Sequence, residues 1–180
     1  MALHSVEGLL DSGTDAQVRR EWEALAEAGL PSQAGHEGAT NAPHVTLSAA
    51  GGVPDVVEAR VVRALAGMPA LPVTLGPLVV MGSRRHVLAR LVVPTSDLLL
   101  LQHAVAAAMA ACPDVPERVR PGRWTPHVTI ARGLASSQVG EALAVLGHSG
   151  PRDGAIESVR RWDPTAGRTW RVGGIPTMGA

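Results

Sequence analysis

The tetrapeptide Pro-His-Val-Thr stands twice in this 180-residue chain, at Pro43–Thr46 and at Pro126–Thr129, followed by Leu47 in one copy and Ile130 in the other. Imidazole is the side chain whose ordinary pKa lets it serve as acid or base near neutrality. Two imidazoles on opposite sides of a phosphorus divide the work. One takes a proton from an attacking water, and the other gives a proton to the departing oxygen. Threonine hydroxyls donate hydrogen bonds to the non-bridging oxygens, where negative charge builds in the transition state. Each acid–base group of this kind is worth about 10²–10⁴-fold in rate. A single such motif is more often a satisfied core histidine; two identical copies favour catalysis. Neither copy has a Cys, an Asp or a second His at ligand spacing, so no metal and no other cofactor is expected.

These groups converge only if strands carry them. Residues two apart on a strand share a face, so His44 and Thr46 point one way while Val45 and Leu47 pack behind. His127 and Thr129 repeat this with Val128 and Ile130, and the same count puts Ser48 on the His44 face, with Ala131 at the matching position. Strands lying side by side or facing each other would bring two imidazoles and two hydroxyls into one cleft.

The flanking pattern predicts a strand over Leu3–Leu10, then a helix capped by Thr14 with Gln17, showing Val18, Trp22, Leu25 and Ala26 on one face and stopping at Gly29. Pro54 and Asp55 open a second helix with Val57, Val61 and Leu65 at helical spacing. Leu71–Met81 and His86–Val93 read as a hairpin. Thr95-Ser96-Asp97 caps a helix running to about Cys112, and a loop over 113–125 delivers the second motif. A fourth helix over Ser136–Leu146 ends at Gly147, before strands near Ala155–Trp162 and Thr169–Val172. Each motif follows one helix and precedes another, which predicts two related α+β lobes.

Composition sets bounds on this reading. Hydrophobic residues at 46% and charged residues at 18% describe a folded chain, with no Phe, no Tyr and four Trp, so Val, Leu, Ala and Ile must build the core. All sixteen basic residues are Arg. Residues 1–80 carry 4 Arg against 9 acids and residues 81–180 carry 12 Arg against 7, an asymmetry compatible with an anionic ligand on the C-terminal half. A net charge of zero argues against a protein living on long nucleic acid. Lone Cys112 is read as a small buried residue, and together with the lack of a signal peptide or membrane span it predicts a cytoplasmic protein.

The paired His-x-Thr motifs on strands, each running into an aliphatic residue, resemble the two-histidine (2H) phosphoesterase superfamily, and most closely its 2′,5′ RNA ligase-like branch with the RNA 2′,3′-cyclic phosphodiesterases. The spacing of 83 residues and the run Trp124-Thr125-Pro126-His127-Val128-Thr129-Ile130-Ala131-Arg132 carry the likeness. It implies one bilobal α+β domain over residues 1–180, with antiparallel sheets and flanking helices around a central cleft and a pseudo-twofold axis. It also implies metal-independent opening of 2′,3′-cyclic phosphates to 2′-phosphates on RNA ends or small cyclic nucleotides, with reverse 2′,5′ ligation in some members. Carried over, His44 and His127 are the acid–base pair, with His127 activating water and His44 protonating the 3′ oxygen. Thr46 and Thr129 clamp the phosphate.

Further substrate contacts fall to Ser48, Trp124 as a base platform, and Arg132, although Arg132 lies an odd number of residues from His127, so strict alternation turns it away and it helps only if the strand twists or ends there. Arg84, Arg85, Arg120 and Arg123 are loop candidates for the phosphate, while His4, His36, His86, His103 and His148 read as structural or surface. A monomer without an obligate protein partner is expected. The competing readings are a non-catalytic RNA-end or nucleotide-binding module and a metal-binding protein.

Overall fold

A strand-then-helix order repeats along the chain, as the sequence pattern requires. The computed structural model describes residues 2–174 except 37, 39, 148 and 149, so His148 lies outside the described residues. Its elements are β1 (His4–Leu10), α1 (Ser12–Glu27), β2 (His44–Ala50), α2 (Asp55–Ala64), β3 (Leu71–Met81), β4 (His86–Val92), α3 (Ser96–Ala108), β5 (His127–Leu134), α4 (Ser136–Leu146), β6 (Arg152–Asp163) and β7 (Arg168–Gly174). The second helix, the hairpin and the fourth helix match the sequence reading.

Two details differ. α1 begins at Ser12 because Asp11, not Thr14, is its cap: Oδ1 of Asp11 accepts the Thr14 N–H at 2.9 Å, and Oδ2 accepts the Thr14 hydroxyl and the Ala155 N–H, each at 2.7 Å. α3 stops at Ala108, with Met109 as its cap, so Cys112 sits buried in the turns beyond, where burial pushes its thiol up.

All strand pairings are antiparallel, in the order β1-β2-β5-β4-β3-β6-β7, and β1 also pairs with β6. The first six strands therefore form a closed ring, which β6 completes by pairing with β3 over Arg152–Ile156 and with β1 over Ile156–Trp162. Exchanging β1 with β4, β2 with β5 and β3 with β6 leaves every pairing in that ring unchanged. The helices obey the same exchange: α1 packs on α4, β5 and β6, while α3 packs on α2, β2 and β3. The fold is thus α+β with pseudo-twofold topology, and each helix that precedes a motif strand lies behind the other half's motif strand.

The core is Val- and Leu-rich, and Val45, Leu47, Val128 and Ile130 are all fully buried in it. Removing each from water contributes about 1.5–3 kcal/mol and locks the motif strands in place. None of the described helices is long and apolar enough to cross a membrane.

One core feature escaped the sequence pattern. Ala26 faces solvent, while Glu21 on the same helix is buried. Its carboxylate accepts from Nε (2.9 Å) and Nη2 (2.5 Å) of the fully buried Arg90 and pairs with Arg152 at 2.7 Å, tying α1 to β4 and β6. Glu21→Ala would leave the Arg90 charge buried without its carboxylate. The expected loss is about 3–5 kcal/mol of stability, read as a lowered urea midpoint.

Candidate active site

β2 and β5 meet at the pair Val45–Val128. Extending that antiparallel register by one residue each way sets His44 across from Thr129 and Thr46 across from His127, on the face opposite the two valines. The histidines hold diagonal corners, roughly 8 Å apart at Cα, a span suited to one phosphoryl group.

Both imidazoles are held alike. Nδ1 of His44 lies 2.7 Å from the Ala42 carbonyl, and Nδ1 of His127 lies 2.8 Å from the Thr125 carbonyl. A carbonyl only accepts, so each ring carries its proton on Nδ1 and presents Nε2 for proton transfer. The threonine carbonyls are also held alike: Trp124 Nε1–H donates to Thr46 O at 2.9 Å, and Trp22 Nε1–H donates to Thr129 O at 3.0 Å. Trp124 packs against the core with its polar edge spent on the backbone, so it braces the first motif.

Just after each motif the strand bulges. β1 pairs Glu7 with Thr46 and then Val6 with Ser48, skipping Leu47; β4 pairs Ala89 with Thr129 and then Leu88 with Ala131, skipping Ile130. An extra residue reverses the alternation beyond it. Ser48 therefore leaves the His44 face: it is 1% exposed and lines a cavity against α3. Arg132 turns the other way, onto the cleft face, where its Nη2 donates to Thr129 Oγ1 at 3.2 Å. That bond leaves the threonine's own proton free to be donated. Among the loop arginines, Arg85 is tied to the Gly133 carbonyl and Arg120 to Glu117.

The charges around the two histidines differ. Glu7 lies on β1 opposite Thr46, and its Oε1 stands 3.6 Å from Nε2 of His44. Arg160 donates to Oε2 at 2.8 Å and the Ser5 hydroxyl donates to Oε1 at 2.6 Å. Burial works against the Glu7 charge, yet His44, Arg160 and Ser5 together hold its carboxyl below the usual range. In the other half, the residue opposite Thr129 is Ala89. His127 instead has Arg132 nearby. Burial lowers its pKa, the bond to Thr125 opposes this, and the charges of Arg132 and His44 lower it further.

A 360 Å³ cavity opens beside His44, lined by Glu7, His36, Asn41, Arg160 and Trp162. Motif reasoning does not reach Glu7, Arg160 or Trp162, and His36, expected to be structural or surface, lines this cavity. A lone acid within the apolar strand Ser5–Leu10 was the one available signal for Glu7.

A family model described as the 2′-5′ RNA ligase superfamily matches residues 14–168. The chain belongs to this superfamily. Solved structures with the same fold include Escherichia coli LigT complexed with 3′-AMP, 18% identical with a TM-score of 0.54 over 93% of this chain and 91% of that one. Kluyveromyces marxianus Usb1 with uridine monophosphate is 15% identical with a TM-score of 0.54 over 95% and 98%. A protein described as a phosphoesterase is 22% identical with a TM-score of 0.56 over 96% and 94%. No curated protein matches the sequence. Membership of the 2′-5′ RNA ligase superfamily agrees with the α+β expectation and with the 2H resemblance of the two motifs.

Proposed function

We propose that residues 1–180 work as one bilobal enzyme that hydrolyses 2′,3′-cyclic phosphates of RNA ends or nucleotides to 2′-phosphates. The observation that carries this reading is the meeting of both His-x-Thr pairs at Val45–Val128, with both Nε2 atoms available. That LigT and Usb1 are seen with nucleotides supports a nucleotide-like substrate.

The charge asymmetry supports a division of labour. His127, held neutral by burial and Arg132, takes the proton from water as it attacks phosphorus. His44, with the Glu7 carboxylate 3.6 Å from its Nε2, gives a proton to the 3′ oxygen as the P–O3′ bond breaks. Thr46, Thr129 and Arg132 donate to the non-bridging oxygens. The two imidazoles supply both proton transfers, so the reaction requires no metal ion. Run backwards, the same pair joins a hydroxyl to a cyclic phosphate, which is the ligation direction. Trp162, beside His44, offers a flat face for the base.

The pH dependence tests the assignment. A base must be neutral, and a lowered pKa keeps His127 neutral into more acidic solution, so the acid limb of kcat/KM falls below the ordinary histidine value of about 6.5. Arg132→Met removes a nearby positive charge, so that limb is expected to move to higher pH. An unmoved limb would assign the base elsewhere.

A further inference from the structure

The cavity beside His44 holds a guanidinium that no proton transfer uses. Arg160 is buried, with 10% of its side chain exposed, and its Nε donates to Glu7 Oε2 at 2.8 Å. Its Nη1 and Nη2 have no hydrogen-bond partner among the described residues. Nor are they sealed from water: the buried side-chain atoms left unpartnered among the described residues are Gln17 Oε1, Ser48 Oγ and His86 Nδ1. A held arginine with its Nη edge open is a fork suited to two acceptors side by side.

The strands aim this fork. β6 lies two strand spacings, about 10 Å, from β2, with β1 between them. Glu7 on β1 stands opposite Thr46 on one side and opposite Arg160 on the other. Arg160 and Trp162, two apart on β6, share the face that lines the cavity. The Trp162 indole makes no ring contact and no hydrogen bond among the described residues. A nucleotide with its phosphate between the two histidines thus extends its base toward Trp162 and Arg160.

Charge and geometry narrow what the fork takes. Glu7 already offsets the guanidinium, so a second phosphate there would be repelled by a carboxylate, whereas neutral base acceptors would not. Guanine offers two adjacent acceptors at O6 and N7, and cytosine offers two at O2 and N3. Adenine sets its amino donor beside N7 and N1, and uracil sets N3–H between its carbonyls. We propose that this cavity selects the base, with Trp162 stacking it and the Nη edge of Arg160 favouring guanine or cytosine over adenine or uracil. The selection deepens the reaction proposed above, since the phosphate between the histidines is its anchor.

The test is calorimetric titration of the full chain with the four nucleoside 2′-monophosphates. Affinity rather than turnover is read, so the result stands apart from whether hydrolysis occurs. Guanosine or cytidine 2′-monophosphate should bind about tenfold or more tightly than the adenosine and uridine compounds, and which of the two leads identifies the acceptor pair. Arg160→Lys keeps a charge beside Glu7 but loses the fork, so the affinity ratio should fall to about one. If that variant fails to fold, replacing N7 of guanine or N3 of cytosine by carbon in the ligand should remove most of the advantage from the unaltered protein. Trp162→Ala should weaken all four alike, by about fivefold or more. Equal affinity for the four, no binding of any, or an advantage that survives loss of the fork or of the acceptor would overturn the proposal.

Discussion

Replacing His44 or His127 with alanine is expected to lower kcat on a 2′,3′-cyclic nucleotide by about 10²–10⁴-fold, with KM little changed. The two losses should not multiply in the double variant. Proton removal and proton delivery belong to one displacement, and taking away either leaves the other poorly used. The variants should separate on a different substrate. An aryl phosphodiester with a good leaving group departs without a proton, so His44→Ala should recover most of its activity there while His127→Ala should not. This split follows from the neighbours, a carboxylate 3.6 Å from Nε2 of His44 and the Arg132 charge near His127. The reverse split would exchange the two roles and make the Glu7–Arg160 pair a scaffold only.

Thr129→Ala and Thr46→Ala are each expected to cost on the order of 10²–10³-fold in kcat, the scale seen when one preorganised donor to a developing oxyanion is removed. Thr129 should show the larger loss, because Arg132 donates to its oxygen at 3.2 Å and so directs its proton outward. Thr129→Ser keeps the hydroxyl and should restore most of the rate. Steady-state kinetics on the four proteins checks this directly. An effect confined to KM would mean that the hydroxyls bind substrate and transition state equally.

These expectations rest on features of unequal visibility. The motif strands, the second and fourth helices and the hairpin were legible because alternation, helical spacing and Gly147 are local signals. Strict alternation puts Ser48 on the wrong face and leaves Arg132 dependent on a break in the strand, both for one reason. Alternation assumes an unbroken strand, whereas the bulges at Leu47 and Ile130 depend on partners in β1 and β4 that the motif sequence does not reveal. Glu7 and Arg160 meet only because the ring closes through β1 and β6, elements at opposite ends of the chain. Trp124 lies next to a motif in sequence, yet its indole bonds to Thr46 of the other motif across the β2–β5 seam. Glu21 broke the hydrophobic pattern of α1 because an acid among core residues is tolerable only when paired with cations, and its arginines come from β4 and β6.

The central claim is metal-independent opening of a cyclic phosphate by two histidines. Its most direct test is ³¹P NMR of a 2′,3′-cyclic nucleotide incubated with the protein in EDTA. The account predicts that the cyclic resonance is replaced by a single 2′-phosphomonoester resonance, and that His127→Ala leaves the substrate intact. A 3′-phosphate product, or turnover that stops in EDTA and returns with added metal, would contradict it.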